Sequence, residues 1–276
     1  MIGGILDGVA AICRAILPRR VVMWLRGDYS SVRGRWIQRP IEDLNLCLSR
    51  LRGMSYLEWY ARRLDGFTTV DSPERREKFR KYMENGRDQF NVIKALGVQP
   101  HHAVHEFGMG MGRVAGLLVP YLSGGSFSGN DASAGRLKKG LDYLKREQGI
   151  DADHLLIVAN KDNSFDWLKG REVDYIWCFA VFMHMPERDI EDVIKNVRKI
   201  MHEKSVFFFT YSEKNPNKRI ERMGSHDWWH NAAYFRDLGE RYGFDMQLHT
   251  ETLRQNMAYH DATRLAAFTL KPAAAR

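Results

Sequence analysis

The run Ala103-Val104-His105-Glu106-Phe107-Gly108-Met109-Gly110-Met111-Gly112-Arg113 constrains this chain more than any other. A short apolar strand ends in an acid, and three alternating glycines precede a helix beginning near Arg113. Glycine has no Cβ, so the backbone can adopt positive φ and approach a ligand closely. The N-terminus of the following helix points its N–H groups and positive dipole end at the same place. The result is a strand–turn–helix cradle for a nucleotide-like cofactor. Two spacings coexist in it. Gly110-Met111-Gly112-Arg113-Val114-Ala115 fits the G-x-G-x-x-A form of the dinucleotide turn, which is weak evidence alone. Glu106, Gly108, Gly110 and Gly112 form the different pattern acid-x-Gly-x-Gly-x-Gly.

The rest of the chain supplies the frame that such a turn requires. From His101 onward strands and helices alternate, which argues for a parallel sheet covered on both faces. Strands are expected at 103–107, 126–130, 155–158, 173–181 and 205–211, with helices at 113–122, 134–148 and 187–201. A helix over 228–242 follows, then two closing strands at 244–248 and 265–270 separated by a polar loop. That last pair suggests an antiparallel edge on an otherwise parallel sheet. The expected architecture is therefore α/β, a Rossmann-like doubly wound sheet of seven strands with the last one antiparallel. Residues 1–98 read as a helical N-terminal cap and 99–276 as the cofactor-binding domain. Within the cap, Asp71-Ser72-Pro73-Glu74 is a helix-start signal, and the helix it opens is expected to run to Leu96, where Gly97 stops it.

The 276 residues carry 42 Lys and Arg against 34 Asp and Glu, a formal net charge of +8 that favours anionic partners. Part of that charge is a solvated helix face, since Arg75, Arg76, Lys78, Arg80 and Lys81 alternate with Glu74, Glu77 and Glu84. Three scattered cysteines, Cys13, Cys47 and Cys178, make neither a disulfide framework nor a zinc site, and a reducing cytoplasmic compartment is the simplest inference. Over residues 2–17 the apolar residues Ile2, Ile5, Leu6, Val9, Ile12, Ile16 and Leu17 recur at near-helical spacing, interrupted by Asp7 and Arg14. This suits neither a secretory signal nor a membrane span. It suits an amphipathic helix, lying on the inner face of a membrane with Arg14, Arg19, Arg20 and Arg26 toward headgroups, or packed on the protein's own body or across a homodimer.

Two further landmarks bear on the cofactor. In Gly129-Asn130-Asp131-Ala132-Ser133, Asp131 closes the second strand, where a carboxylate can accept hydrogen bonds from both ribose hydroxyls of a nucleoside. The bland alternative is a cap on the next helix. The segment from Val173-Asp174-Tyr175 through Phe179-Ala180-Val181-Phe182-Met183-His184-Met185-Pro186 opens with an acid and ends in an apolar turn with a histidine before a helix. Together with Glu106-x-Gly108-x-Gly110-x-Gly112, this order of motifs resembles the class I S-adenosylmethionine-dependent methyltransferases over roughly residues 86–270. The glycine pair usual in that family before the fifth strand is replaced by His202-Glu203-Lys204, a turn remote from the cofactor.

The resemblance implies S-adenosyl-L-methionine as cofactor, with Glu106, Gly108, Gly110 and Gly112 lining its methionine end and Asp131 on its ribose. In that family the loop after the third strand bonds the adenine amino group, here Asp162 in preference to Asn160. Residues 179–182 would form the floor under the transferring methyl, with Phe179 against the cofactor. Such a donor needs alignment and exclusion of water rather than activation. A hydroxyl acceptor also needs a base, and the candidates are His184, His226 and His230, with Asp227 beside them. Ser225-His226-Asp227-Trp228-Trp229-His230 is read as a helix start rich in donors and acceptors, with a helix cap as the structural alternative. Tyr56, Trp59, Tyr60, Trp228 and Trp229 are candidates to enclose the acceptor, although aromatics of this kind commonly serve only as core. His101-His102-x-x-His105 has metal-like spacing but sits at the strand's entrance, so no metal is assigned.

The expected activity is O-methylation of a small-molecule, sugar-containing or lipid-linked acceptor. An NAD-dependent oxidoreductase, and a non-catalytic membrane- or partner-binding protein on the same fold, are the alternatives. Nucleic-acid methylation is disfavoured, because Phe182-Met183-His184-Met185 stands where base-amine methylation would call for an Asn/Asp-Pro-Pro-aromatic tetrad.

Overall fold

A computed structural model describes residues 39–65, 73–160, 162–222, 226–257 and 261–272. The amphipathic segment 2–17 lies outside them. The chain divides into two compact units between Trp59 and Tyr60.

In the first unit, helix α1 (Arg39–Leu51) is followed by the start of helix α2 (Tyr56–Asp65). Ser55 and Glu58 build a capping box at that start. The Ser55 hydroxyl accepts from the Glu58 N–H at 3.2 Å, and the Glu58 carboxylate accepts from the Ser55 N–H at 2.9 Å. Tyr56 and Trp59 are buried in this unit, and Trp59 Nε1 donates to Asn45 Oδ1 at 3.1 Å.

The second unit holds the sheet. Its strands are β1 (Ala103–Phe107), β2 (Ser126–Asp131), β3 (Leu156–Ala159), β4 (Val173–Cys178), β5 (Met201–Ser212), β8 (Phe244–Leu248) and β9 (Thr263–Leu270), ordered β3-β2-β1-β4-β5-β9-β8. All pairings from β3 across to β5 are parallel, and β9 runs antiparallel to both β5 and β8. This is the expected Rossmann-like sheet. Connections leave β1 toward β2 on one side, while β4 occupies the other, so a topological switch point lies at the C-terminal ends of β1 and β4. Period-2 alternation along β5 divides the core. Phe207, Phe209 and Tyr211 are buried in one layer, and Phe208 is buried with Trp177 and Phe179 in the other. Each such ring, fully buried, stabilises the fold by about 1.5–3 kcal/mol.

The helices are α3 (Pro73–Glu84), α4 (Gly86–Ala95), α5 (Ala115–Tyr121), α6 (Ala134–Gln148), α7 (Glu187–Val197), α8 (Ala232–Tyr242) and α9 (Thr250–Asn256). Helix α6 has its expected limits because local signals fix both ends. Ser133 accepts from the Arg136 N–H at its start, and Gly149 turns left-handed at its end.

The differences from the sequence reading have identifiable causes. The helix opened at Pro73 is two helices, interrupted at Asn85, and the second starts at Gly86, where a Cβ would lie 2.1 Å from the Arg113 carbonyl oxygen. Helix α4 packs its Val92 and Ile93 in one core layer with Val98 and Val104. Strand β4 stops at Cys178 rather than Val181, because Ala180 takes a φ of 56° and donates its N–H to Thr210 Oγ1 at 2.8 Å. The segment read as a helix from Trp228 is a correction. Trp228–His230 is a strand, β7, paired antiparallel with β6 (Ile220–Arg222), and the helix begins only after Asn231, whose side chain accepts from the Tyr234 N–H. The polar loop expected between the last two strands contains α9.

Candidate functional site

The glycine turn leaves β1 at the switch point. The Gly108 and Met109 N–H groups both donate to the Asn130 carbonyl, at 2.8 and 2.9 Å, which ties the turn to the end of β2. Gly108, Gly110 and Gly112 all have positive φ, between 60° and 72°. At Gly108 the geometry excludes any side chain twice over, since a Cβ would also lie 2.4 Å from Val181 Cγ2. The turn occupies residues through Val114, so α5 starts two residues later than the spacing suggests.

Two carboxylates face this turn. Asp131 is buried, and its two oxygens accept from the Gly110 and Ser133 N–H groups, each at 2.8 Å. Burial raises its pKa, against the opposing charge of Arg136 and those two N–H groups. Each oxygen keeps further lone-pair capacity for a ligand hydroxyl. Glu106 is also buried, and its Oε2 has no hydrogen-bond partner. Burial pushes its pKa up to about 8, only partly countered by Arg113. An unsatisfied carboxyl in the floor of a glycine cradle is costly to keep unless something cationic or hydrogen-bonding meets it.

Sequence reasoning missed the arginines around these acids. Arg113 lies 4.6 Å over the Tyr82 ring and 5.6 Å from the centre of the buried Phe179 ring, which itself stacks on Trp177. Arg136 lies across Gly110, with Nη2 2.9 Å from where a Cβ would stand, and donates to the Tyr82 hydroxyl at 3.4 Å. The only signal for Arg136 was its place one turn into the helix after Asp131. Phe182, one of the residues expected in the floor, is fully buried among Phe207, Phe209 and Phe235 instead.

A second group of polar side chains gathers beyond the end of β4. His184 Nδ1 lies 3.0 Å from Asp227 Oδ1 and 3.1 Å from the His226 carbonyl oxygen. Both partners can only accept, so Nδ1 carries a proton. Burial acts to raise the Asp227 pKa, but the hydrogen bond from His184 and the charges of His226, His184 and Arg63 hold it below the usual carboxylate value. Tyr60, from the second half of α2, stacks on His184 with ring centres 5.8 Å apart. Burial raises the Tyr60 phenol pKa, and that phenol senses Arg136 and Asp131 as well as Arg63 and Asp227. Tyr60 is thus within electrostatic reach of both the cradle's charges and the histidine group. The chain path agrees, because the His184 N–H donates to the carbonyl of Val181, the residue that presses on Gly108. Asp65 of α2 accepts from the Gly135 N–H at 3.0 Å and from the Ser133 hydroxyl, which anchors α2 to the start of α6.

The remaining candidates fall elsewhere. Asp162 is exposed on the loop after β3, where its carboxylate accepts from the Ser164 N–H at 2.9 Å. His230 is buried against Tyr234 and Phe235 with neither ring nitrogen hydrogen-bonded, and burial lowers its pKa to about 4. Trp228 is buried; Trp229 is half-buried, with Lys214 Nζ 5.1 Å over its ring. His105 lies inside the sheet, its ring nitrogens 3.0 Å from Ser128 Oγ and Asn130 Oδ1. Among the described residues no group of three His, Cys, Asp or Glu could hold a metal ion, and no helix is long and apolar enough to cross a membrane.

Residues 105–207 match the family model described as a methyltransferase domain. No curated protein sequence matches the chain. Among solved structures, the chain is similar to the magnesium protoporphyrin IX methyltransferase of Synechocystis PCC 6803 with bound S-adenosylmethionine. The TM-score is 0.51 at 14% identity, over 69% of this chain and 80% of that one. It is similar to the glycopeptide N-methyltransferase MtfA complexed with S-adenosylhomocysteine, with a TM-score of 0.55 at 14% identity over 67% and 90% of the two chains. The DhpI–S-adenosylhomocysteine complex gives 0.51 at 15% identity, over 79% and 96%. At these identities the likeness is one of fold.

Proposed function

We propose that the chain is an S-adenosylmethionine-dependent O-methyltransferase in which His184 is the base, a reading supported by the match of residues 105–207 to a methyltransferase-domain model and by the likeness of fold. The observation that carries this reading is the contact of His184 Nδ1 with Asp227 and the His226 carbonyl. It orients the ring through Nδ1, and in this reading Nε2 takes the acceptor's proton. Asp227 stabilises the imidazolium that results. The match to a methyltransferase-domain model favours this reading over the oxidoreductase alternative.

The cradle's residues fit the cofactor. Glu106 Oε2, unsatisfied in a buried floor, suits an α-ammonium, and the side-chain-free turn at Gly108, Gly110 and Gly112 suits a methionine tail lying against the backbone. Asp131 suits ribose hydroxyls, Asp162 the adenine amino group, and Phe179 the apolar wall beside the turn. When bound, S-adenosylmethionine supplies an electrophilic methyl on a sulfonium leaving group. The protein's part is to align the acceptor, keep water out and remove one proton. Tyr60, whose ring covers His184, closes the space between base and cradle. His230 suits the base role less, since it sits among aromatic rings with burial favouring the neutral ring and no carboxylate to orient it. We take the acceptor to be a small molecule, bare or carrying a sugar or lipid, with Trp228 and Trp229 following Asp227 in the chain. The amphipathic segment 2–17 would supply any peripheral membrane or homodimer contact.

The test is methyl transfer from [methyl-13C]S-adenosylmethionine to a panel of hydroxylated and amino acceptors, read by the carbon shift of the product. Label found on nitrogen alone refutes O-methylation. His184→Gln is expected to lower kcat by about 10²–10⁴-fold with cofactor affinity unchanged.

A further inference from the structure

The group around His184 contains a contact that base catalysis alone does not require. Arg63 Nη2, from α2, lies 3.3 Å from His226 Nε2. The same Nε2 is 3.6 Å from Asp227 Oδ2, the carboxylate oxygen not used by His184. A guanidinium can only donate, so a hydrogen bond in this geometry makes Nε2 an acceptor and puts the His226 proton on Nδ1. The opposite tautomer would aim an Nε2–H at Asp227 Oδ2 and set His226 in competition with His184 for one carboxylate.

We infer that Arg63 is a positioning residue: by fixing His226 in its Nδ1–H tautomer, it reserves Asp227 for His184. This rests on the reading of His184 as the base. The charged and titratable groups facing Asp227 are His184 from the turn after β4, His226 from the approach to β7, and Arg63 from α2. Tyr60 of α2 stacks on His184 of the same group, and Arg136 and Asp131 also act on its phenol. A bare cation near Asp227 would weaken the carboxylate's hold on His184. The charge of Arg63 does act on Asp227, and its Nη2 contact with His226 adds what a bare cation cannot, a fixed proton position. That distinction explains why a fork-shaped donor stands here, since a guanidinium N–H has a fixed direction and an ammonium does not.

The test needs no acceptor. Full-length protein labelled with 15N-histidine is read by long-range 1H–15N correlation at neutral pH, with His226 and His184 assigned through His226→Gln and His184→Gln. The wild type is expected to show His226 protonated at Nδ1 and bare at Nε2, and His184 protonated at Nδ1. In Arg63→Leu the His226 tautomer ratio is expected to shift toward Nε2–H by about tenfold or more, with the His184 Nδ1 proton moving upfield as Asp227 becomes shared. Arg63→Lys keeps a donor and should restore part of the ratio, which separates proton placement from loss of packing. A wild-type His226 already protonated at Nε2, or an Arg63→Leu spectrum with the ratio unchanged, overturns the inference. Those outcomes leave the base assignment standing. That assignment fails separately, if His184 is bare at Nδ1.

Discussion

Cofactor binding should release a proton from Glu106, and the size of that release can be worked out. The carboxyl is buried with one oxygen unsatisfied, and its pKa lies at about 8. At pH 7 a group of that pKa is about 0.9 protonated. An ammonium placed against a carboxylate lowers the carboxyl pKa by about 1–3 units, so Glu106 in the complex would lie near 6 and remain about 0.1 protonated. The release is then about 0.8 proton, offset by about 0.1 taken up to complete the cofactor's own α-amino group. A net release of about 0.7 proton at pH 7 should cross to net uptake near pH 8, as Glu106 becomes ionised beforehand and the free amine does not. Isothermal titration in buffers of different ionisation enthalpy reads this number directly. In Glu106→Gln only the small uptake should remain. A wild type whose binding heat is independent of buffer at pH 7, or a Glu106→Gln protein that still releases the proton, refutes the reasoning. The sign for stability follows from the same shift. An acid with a raised folded pKa stabilises fully below its unfolded value near 4.5 and loses that contribution as pH rises through 8, on the order of 3 kcal/mol by pH 7. Glu106→Gln should therefore melt higher than wild type at neutral pH when no cofactor is present.

Four further outcomes are expected. Asp131→Ala should weaken S-adenosylmethionine binding by about 1.5–3 kcal/mol in calorimetry, since charge-assisted bonds to the ribose are lost. Unchanged affinity would place the ribose elsewhere. Gly108→Ala meets both a φ of 72° and the Val181 methyl, so it should destabilise by about 1–3 kcal/mol and weaken cofactor binding. Adding Val181→Ala should recover only part of the loss, because the backbone strain stays. Asp227→Asn should lower kcat with little effect on cofactor affinity, and equal losses in both would count against a role in proton transfer. His230 has a folded pKa near 4 against about 6.5 unfolded, so the protein loses stability on this account as pH falls from 6.5 toward 4, on the order of 3 kcal/mol. His230→Phe removes two unpartnered buried nitrogens and should flatten that acid limb in thermal melts while leaving methyl transfer intact.

The sequence by itself determined what is written in local or strictly periodic terms. The glycine turn is legible because positive φ and close backbone approach are properties of the residues at those positions. Helix α6 is legible because Ser133 and Gly149 punctuate it. The seven strands and the antiparallel edge are legible because apolar runs alternate with helices, whereas their order in the sheet came from the structure. Only the tertiary structure decided matters that depend on pairing between distant segments. Trp228–His230 is a strand because Ile220–Arg222 lies beside it, whereas the sequence shows only aromatic residues ahead of a helix. The different surroundings of the three candidate histidines are the clearest case. His184 and Asp227 lie on different elements, and nothing in the spacing between them distinguishes His184 from His226 or His230. What distinguishes them is where each ring is placed. Beyond the turn after β4 a carboxylate and a carbonyl converge on one nitrogen of His184, while Arg63 donates to His226 and apolar packing encloses His230. Hydrogen-bond direction and burial are set by neighbours far along the chain, and those neighbours exist only once the sheet has formed.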